Sequence, residues 1–203
     1  MKTLLIVFSK TAVAGKVKTR LAKTIGTNGA LWVYNKLLKH TSSVSENSKM
    51  TTAVFENIQT EKRGDFFSHA KYFELQKGKN LGEKMSAAFQ WAFEKGYEKV
   101  ILIGSDLWTL NERLLLEAEN ALDENEYVLG PTYDGGYYLI GMKKPFPHLF
   151  KEIAWSSQNV LKQTLKRVSS EAFYFLELAN DIDEIEDLKA ESELFSQYQK
   201  HFS

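Results

Sequence analysis

No cysteine occurs anywhere in the chain. That absence removes disulfide frameworks, thiol nucleophiles, zinc ribbons and iron–sulfur ligation together. Proline is nearly as scarce, with three in 203 residues, and the four histidines, His40, His69, His148 and His201, are scattered. Neither a Ser-His-Asp arrangement nor a His-rich metal centre is indicated. An excess of one charge is lacking too, since 26 Lys and Arg stand against 26 Asp and Glu. A balance of zero gives no global attraction to nucleic acid or to an anionic membrane surface, so any basic site must be local. Long apolar runs are missing as well. The first run, residues 4–8, is too short for the central region of a signal peptide or for a membrane span. The expectation is a cytoplasmic protein with no membrane span and no nucleic-acid partner.

What is present is the composition of a globular protein, 43% hydrophobic and 26% charged, at a length that suits a single domain over residues 1–203. Residues 4–8 and 100–103 are short, continuously apolar runs, as expected of strands buried on both faces of a parallel sheet. Between them Leu81, Met85, Ala88, Phe89, Ala92 and Phe93 recur on one face of a helix, with Gly96 as its stop. An earlier helix is marked by Leu31, Tyr34, Leu37 and Leu38 behind Gly26-Thr27-Asn28. Shorter strands are predicted at residues 52–55, 72–75, 127–129 and 137–140. Further helices are predicted over residues 111–122, with Asn111 as cap, over 157–168, and from 183 into the tail. Strands alternating with helices argue for a three-layer α/β architecture.

Four segments could carry chemistry. In Val100-Ile101-Leu102-Ile103-Gly104-Ser105-Asp106, the aspartate stands just beyond the carboxyl end of a strand, where open α/β sheets bind ligands. Its carboxylate would suit a hard cation such as Mg²⁺ or Mn²⁺, and a helix or turn cap is the competing reading. In the segment Gly15-Lys16-Val17-Lys18-Thr19-Arg20, an extended backbone would send Lys16, Lys18 and Arg20 to one side, as a polyanion requires. A solvated basic loop would look the same. Residues 130–141 set Asp134 before Gly135 and Gly136 among tyrosines, which reads either as a hairpin turn or as a ligand-facing loop. Asp181 and Asp183 precede the last helix, as helix caps do, but their like charges also invite a cation.

Taken in order, Lys18–Ala22 (KTRLA), NLGEKM, GSD, GPTYDGGYYLIG, Trp-Ser-Ser and DIDEIEDL resemble an uncharacterised bacterial family of the GT-A superfamily, glycosyltransferase-like and related to phospholactate guanylyltransferase. The resemblance implies a Rossmann-like α/β/α sandwich of the nucleotide-diphospho-sugar transferase type, with a mainly parallel sheet. It also implies a nucleoside triphosphate or nucleotide sugar as ligand, an acceptor, and Mg²⁺ or Mn²⁺. Carried over by position, Lys18 and Arg20, with Lys16 beside them, would contact phosphates, and Asp106 and Asp183 would hold the metal. Asn80, Leu81 and Gly82 would approach the nucleotide, Gly135 and Gly136 would line the acceptor or sugar side, and Asp134 would orient or deprotonate the acceptor. The activity implied is glycosyl or nucleotidyl transfer. A metal-dependent phosphohydrolase and a nucleotide-binding module without turnover are the alternatives. The chain departs from the family in carrying Leu107-Trp108 where Cys-Pro is usual, and in lacking proline within Lys10-Thr11-Ala12-Val13. Two loops thereby lose a residue that fixes φ.

Overall fold

A computed structural model of the protein describes residues 2–58, 66–168 and 172–202. Its centre is a seven-stranded sheet: β1 (Thr3–Ser9), β2 (Thr51–Glu56), β3 (Tyr72–Leu75), β4 (Lys99–Ile103), β5 (Tyr127–Pro131), β6 (Tyr137–Met142) and β7 (Phe173–Phe175), in the order β3-β2-β1-β4-β6-β5-β7. β1 to β4 run parallel to one another, and β7 runs parallel to β5. Only β6 is reversed, pairing antiparallel with both β4 and β5. The fold is therefore the expected α/β sandwich on a mostly parallel sheet.

The two-residue period of the strands sorts the core into two layers. Leu5, Val7, Val54, Ile101, Ile103, Val128 and Leu139 point to one face, where they meet Tyr34, Leu38 and Val44 of α1 (Thr19–Asn47) and Leu115, Ala118 and Leu122 of α3 (Glu112–Glu124). Leu4, Ile6, Phe8, Ala53, Phe55, Val100, Leu102, Leu129 and Ile140 point to the other face. There they meet Met85, Ala88, Phe89 and Ala92 of α2 (Leu81–Glu94), together with Leu149 and Phe150 of a 3-10 turn. A third cluster packs the outer side of α1, through Leu21, Val33 and Leu37, against Ile182, Leu188 of α5 (Ile185–Ala190) and Leu194 of α6 (Ser192–Phe202).

The helices match their predicted faces more closely than their predicted ends. Asn111 caps α3 by accepting from the Leu114 N–H at 3.1 Å, and Asn80 caps α2 by accepting from the Glu83 N–H at 2.9 Å. The helix predicted behind Gly26 belongs to α1, which starts earlier and is broken at Gly26 (φ 75°, ψ 165°). Of the helix predicted over 157–168, only α4 (Val160–Leu165) forms, and the tail helix is two helices, α5 and α6. β7 has no counterpart in the sequence reading, because three residues are too few to show a period.

Candidate functional site

The order of the sheet reverses between β1 and β4, both of which end at the same edge, and this switch point is where α/β sheets open a crevice. Because β6 is antiparallel to β4, it is the start of β6 that lies at this edge, and the 132–136 turn with it. The 176–183 segment arrives there from the end of β7. Topology alone thus gathers the loop after β1, the loop after β4, the β5–β6 turn and the stretch before α5.

Lys18 stands at the centre. It is in the left-handed region (φ 46°, ψ 47°) immediately before α1, an unusual conformation for a residue with a Cβ. The extended arrangement expected for residues 15–20 is therefore replaced by a turn and a helix start. As a result the three cations do not share a side: Lys16 is exposed on the turn, Arg20 projects from the first turn of α1, and Lys18 is driven inward.

The Lys18 side chain is only 4% exposed, and its Nζ lies 2.5 Å from Asp106 Oδ1 and 3.1 Å from Asp183 Oδ1, both carboxylates keeping solvent access at 43% and 36%. Arg20 holds the other Asp183 oxygen, and its second guanidinium nitrogen lies 3.6 Å from Glu184. Burial works against the Lys18 ammonium, but the two aspartates more than offset it, so its pKa lies above the usual lysine value. Asp183 is raised by burial and lowered by Lys18 and Arg20, with a net shift downward. Asp181 goes the other way. Burial and the neighbouring carboxylate of Asp106, joined by Asp183 and Asp134 and opposed by Lys18, push it up to about 7. The sequence offers Asp181 either as a helix cap or as a partner for a cation; its position among three other carboxylates depends on folding and has no local signal.

Backbone bonds fix this geometry. The Ile182 N–H donates to the Asp106 carbonyl at 3.1 Å, joining the two acidic segments. The buried Tyr34 hydroxyl accepts from the Lys10 N–H at 2.8 Å, donates to the Lys10 carbonyl at 3.0 Å, and lies 3.3 Å from Ser105 Oγ. One α1 side chain therefore ties the loop after β1 to the loop after β4. Asn57 adds an acceptor for the Thr11 N–H at 2.8 Å. These contacts restrain the loop that lacks proline. Leu107 is buried in the core and Trp108 packs on His40, ring centroids 4.8 Å apart, so the residues replacing Cys-Pro point into the helical layer.

The remaining predicted residues lie at the same edge with other partners. Asp134 Oδ1 accepts from Thr132 Oγ1 at 2.6 Å and from the Gly136 N–H at 3.0 Å, closing its own turn. Gly135 has φ +86°, and a Cβ there would strike the Gln158 carbonyl, while its own carbonyl accepts from the Leu161 N–H at 2.8 Å. Asn80 is used in the α2 cap, Leu81 is exposed, and Gly82 is packed so that a Cβ would meet the Phe150 carbonyl at 2.6 Å and Trp155 at 2.7 Å. Lys18, Arg20, Asp106 and Asp183 are thus brought into direct contact, whereas Lys16 and Leu81 are exposed and Asn80, Gly82, Asp134, Gly135 and Gly136 are engaged with partners of their own.

Among the described residues no group of three or more His, Cys, Asp or Glu side chains is arranged to hold a metal ion. Two carboxylates that already grip one buried cation nonetheless fit the way Mg²⁺ is commonly bound, by one or two protein carboxylates completed by phosphate oxygens and water. No described helix is long and apolar enough to cross a membrane.

Comparison with known proteins agrees with the fold. Residues 43–157 match the family described as "Uncharacterized protein conserved in bacteria (DUF2064)", and the chain belongs to that family. A protein from Desulfovibrio desulfuricans G20, provisionally named a nucleotide-diphospho-sugar transferase, is 27% identical over 98% of this chain and 99% of its own, with a TM-score of 0.85. The same fold is found in 4-diphosphocytidyl-2C-methyl-D-erythritol synthase from Anaerococcus prevotii DSM 20548, 13% identical, covering 96% of each chain, TM-score 0.60. It is found again in a Mycobacterium tuberculosis H37Rv protein solved with manganese, 12% identical, covering 97% of this chain and 99% of its own, TM-score 0.55. No curated protein is similar to the chain in sequence.

Proposed function

We propose that this chain is a metal-dependent transferase, acting as one domain in the cytoplasm, that takes a nucleotide sugar or nucleoside triphosphate and passes a glycosyl or nucleotidyl group to an acceptor. One observation carries the reading: Lys18, Arg20, Asp106 and Asp183 meet at the switch point of a nucleotide-diphospho-sugar transferase-like sheet. The names of the structural neighbours, a synthase that makes a diphosphocytidyl compound and a protein solved with manganese, support it.

Asp106 and Asp183 would hold the divalent cation, which when bound would supply neutralisation of charge developing on the phosphate leaving group. The residues themselves bind and position. Lys18, whose ammonium lies against both carboxylates, would offer its charge to the phosphate chain, and Arg20 would make a second, planar contact. Lys16, exposed at the rim, adds attraction for the incoming polyanion. Asn80, Leu81 and Gly82 at the start of α2 border the nucleoside, and Asp134 with Gly135 and Gly136 shapes the acceptor side. Asp134 is the candidate for orienting or deprotonating the acceptor. No covalent protein nucleophile is needed, and rate enhancement comes from positioning and electrostatics.

Calorimetric titration with nucleoside triphosphates and nucleotide sugars, with and without Mg²⁺ or Mn²⁺, tests the proposal. Affinity should require the metal and fall at least about tenfold in Asp106→Ala, the loss of one charge-assisted contact; unchanged metal-dependent affinity in that variant overturns the assignment. Turnover that never depends on an added acceptor would point to hydrolysis instead.

A further inference from the structure

The end of the sheet opposite the crevice carries a second concentration of charge. Strands β1, β2, β3 and β4 all enter from that end, and each is preceded by a lysine. Lys2 stands next to β1, Lys49 two residues before β2, Lys71 next to β3, and Lys95 in the turn between α2 and β4. Because these strands are neighbours in the sheet, four positions remote in sequence fall around one concavity of about 550 Å³. That is within the size range of small-molecule sites.

Four ammonium groups share this lining with one carboxylate, Glu119. Among the described residues, Lys49, Lys71 and Lys95 make no ion pair; Lys71 instead lies over the Tyr72 ring at 5.2 Å and Lys95 over the Trp91 ring at 5.6 Å. Tyr72 and Tyr97 are in the same lining, and the Tyr97 hydroxyl donates to that of Tyr72 at 3.4 Å. This bond first, and then Lys71 and Lys95, hold the Tyr72 phenol below its usual pKa, while burial and the same bond push Tyr97 up to about 12. Thr3 Oγ1, also in the lining, is buried with no hydrogen-bond partner among the described residues. Like charges gathered around a concavity repel one another, and a chain of zero net charge has no need to place four of its cations so. An anion seated there would remove the repulsion.

We propose that this concavity is a second ligand site, separate from the crevice, and that it takes a soluble, phosphate-bearing small molecule. The lysines supply mobile point charges for the phosphate oxygens, and Tyr72 and Tyr97 supply hydroxyl and ring contacts. The site does not depend on the transferase reading.

The experiment is calorimetric titration of the full chain with inorganic pyrophosphate in the presence of a metal chelator. It compares wild type, Lys49→Ala/Lys71→Ala/Lys95→Ala, the matching triple Lys→Gln variant, and Lys18→Ala/Arg20→Ala. Wild type and the crevice double variant should bind alike, more weakly as salt rises, and both triple variants should bind at least about tenfold more weakly, the effect of three surface ion pairs lost together. The triple variants lose the Lys71–Tyr72 and Lys95–Trp91 ring contacts together with the mutual repulsion of the lysines, so their unfolding temperature should stay close to that of wild type. Failure of wild type to bind, unchanged affinity in the triple variants, or loss of binding in the crevice double variant overturns the proposal. So does a protein that sediments with phosphatidic-acid vesicles yet does not bind pyrophosphate, since the phosphate source is then a lipid headgroup.

Discussion

The ammonium of Lys18 rests directly against the carboxylate of Asp106, at the point between Asp106 and Asp183 where the proposed divalent cation would be held. The lysine therefore serves as a resident monovalent cation, and removing it leaves acidic groups facing one another. Lys18→Ala should destabilise the protein by about 1–3 kcal/mol, less than for a fully buried pair because both aspartates reach solvent. Millimolar Mg²⁺ should raise the unfolding midpoint of the variant more than that of wild type. Equal responses to Mg²⁺ in the two proteins would contradict the shared position.

The two perturbed aspartates give opposite pH signatures. Asp181, held near 7 against an unfolded value of about 3.9, binds its proton more tightly in the folded state. Its contribution is fully present below about pH 4 and is lost as the pH rises towards about 7. Asp183, depressed by Lys18 and Arg20, contributes above the unfolded carboxylate value and loses that contribution as the pH falls through its folded one. Urea midpoints measured from acid to neutral pH should therefore decline less on the neutral side in Asp181→Asn than in wild type. Parallel curves would show that Asp181 is not so perturbed.

Tyr34→Phe removes one hydroxyl that serves both polar groups of Lys10 and touches Ser105. The Lys10 N–H and carbonyl are left without their partner, at a cost of about 1–3 kcal/mol. Amide exchange at Lys10 and Ser105 should accelerate, and nucleotide affinity should fall through loosening of both loops. Unaltered exchange at Lys10 would mean that the hydroxyl does not hold the loop.

Gly135→Ala meets two obstacles at once, a positive φ and a collision with the Gln158 backbone. A destabilisation of about 2 kcal/mol or more is expected, because the obstructing atom is main chain and cannot rotate away. Gly26→Ala has the positive φ but open space around it, so it should cost about 1 kcal/mol. Thermal unfolding of the pair separates strain from collision, and equal losses would show that collision at Gly135 is relieved.

Sequence pattern made some elements legible and left others hidden, for physical reasons. β1 and β4 stood out because strands covered on both faces are apolar throughout, and α2 because Met85, Ala88, Phe89 and Ala92 mark one buried stripe. Asp106 was found because it follows such a strand. The reversal of β6, the pairing of β7 and the left-handed backbone at Lys18 were not legible, since each is decided by distant partners. Residues 15–20 suggested an extended backbone where the chain makes a turn and starts a helix, and of their three cations Lys18 and Arg20 pair with the aspartates. Asn80, Gly82 and Gly135 illustrate the opposite limit: a motif residue can lie beside a crevice while its immediate contacts are a helix cap or a close packing of chain on chain. The lysines of the second concavity form no motif at all, because only the parallel sheet brings them together.

The ion pair of Lys18 with Asp183 spans 165 positions of the chain. Lys18 leaves the ribosome well before Asp183, so the lysine waits without its second partner while most of the sheet is already available to form. A chain halted just before Asp183 would contain every strand yet lack a complete crevice. The proposed site is then completed only after the described strands have been made, and chains truncated before Asp183 should lack the proposed nucleotide binding even where their core is folded.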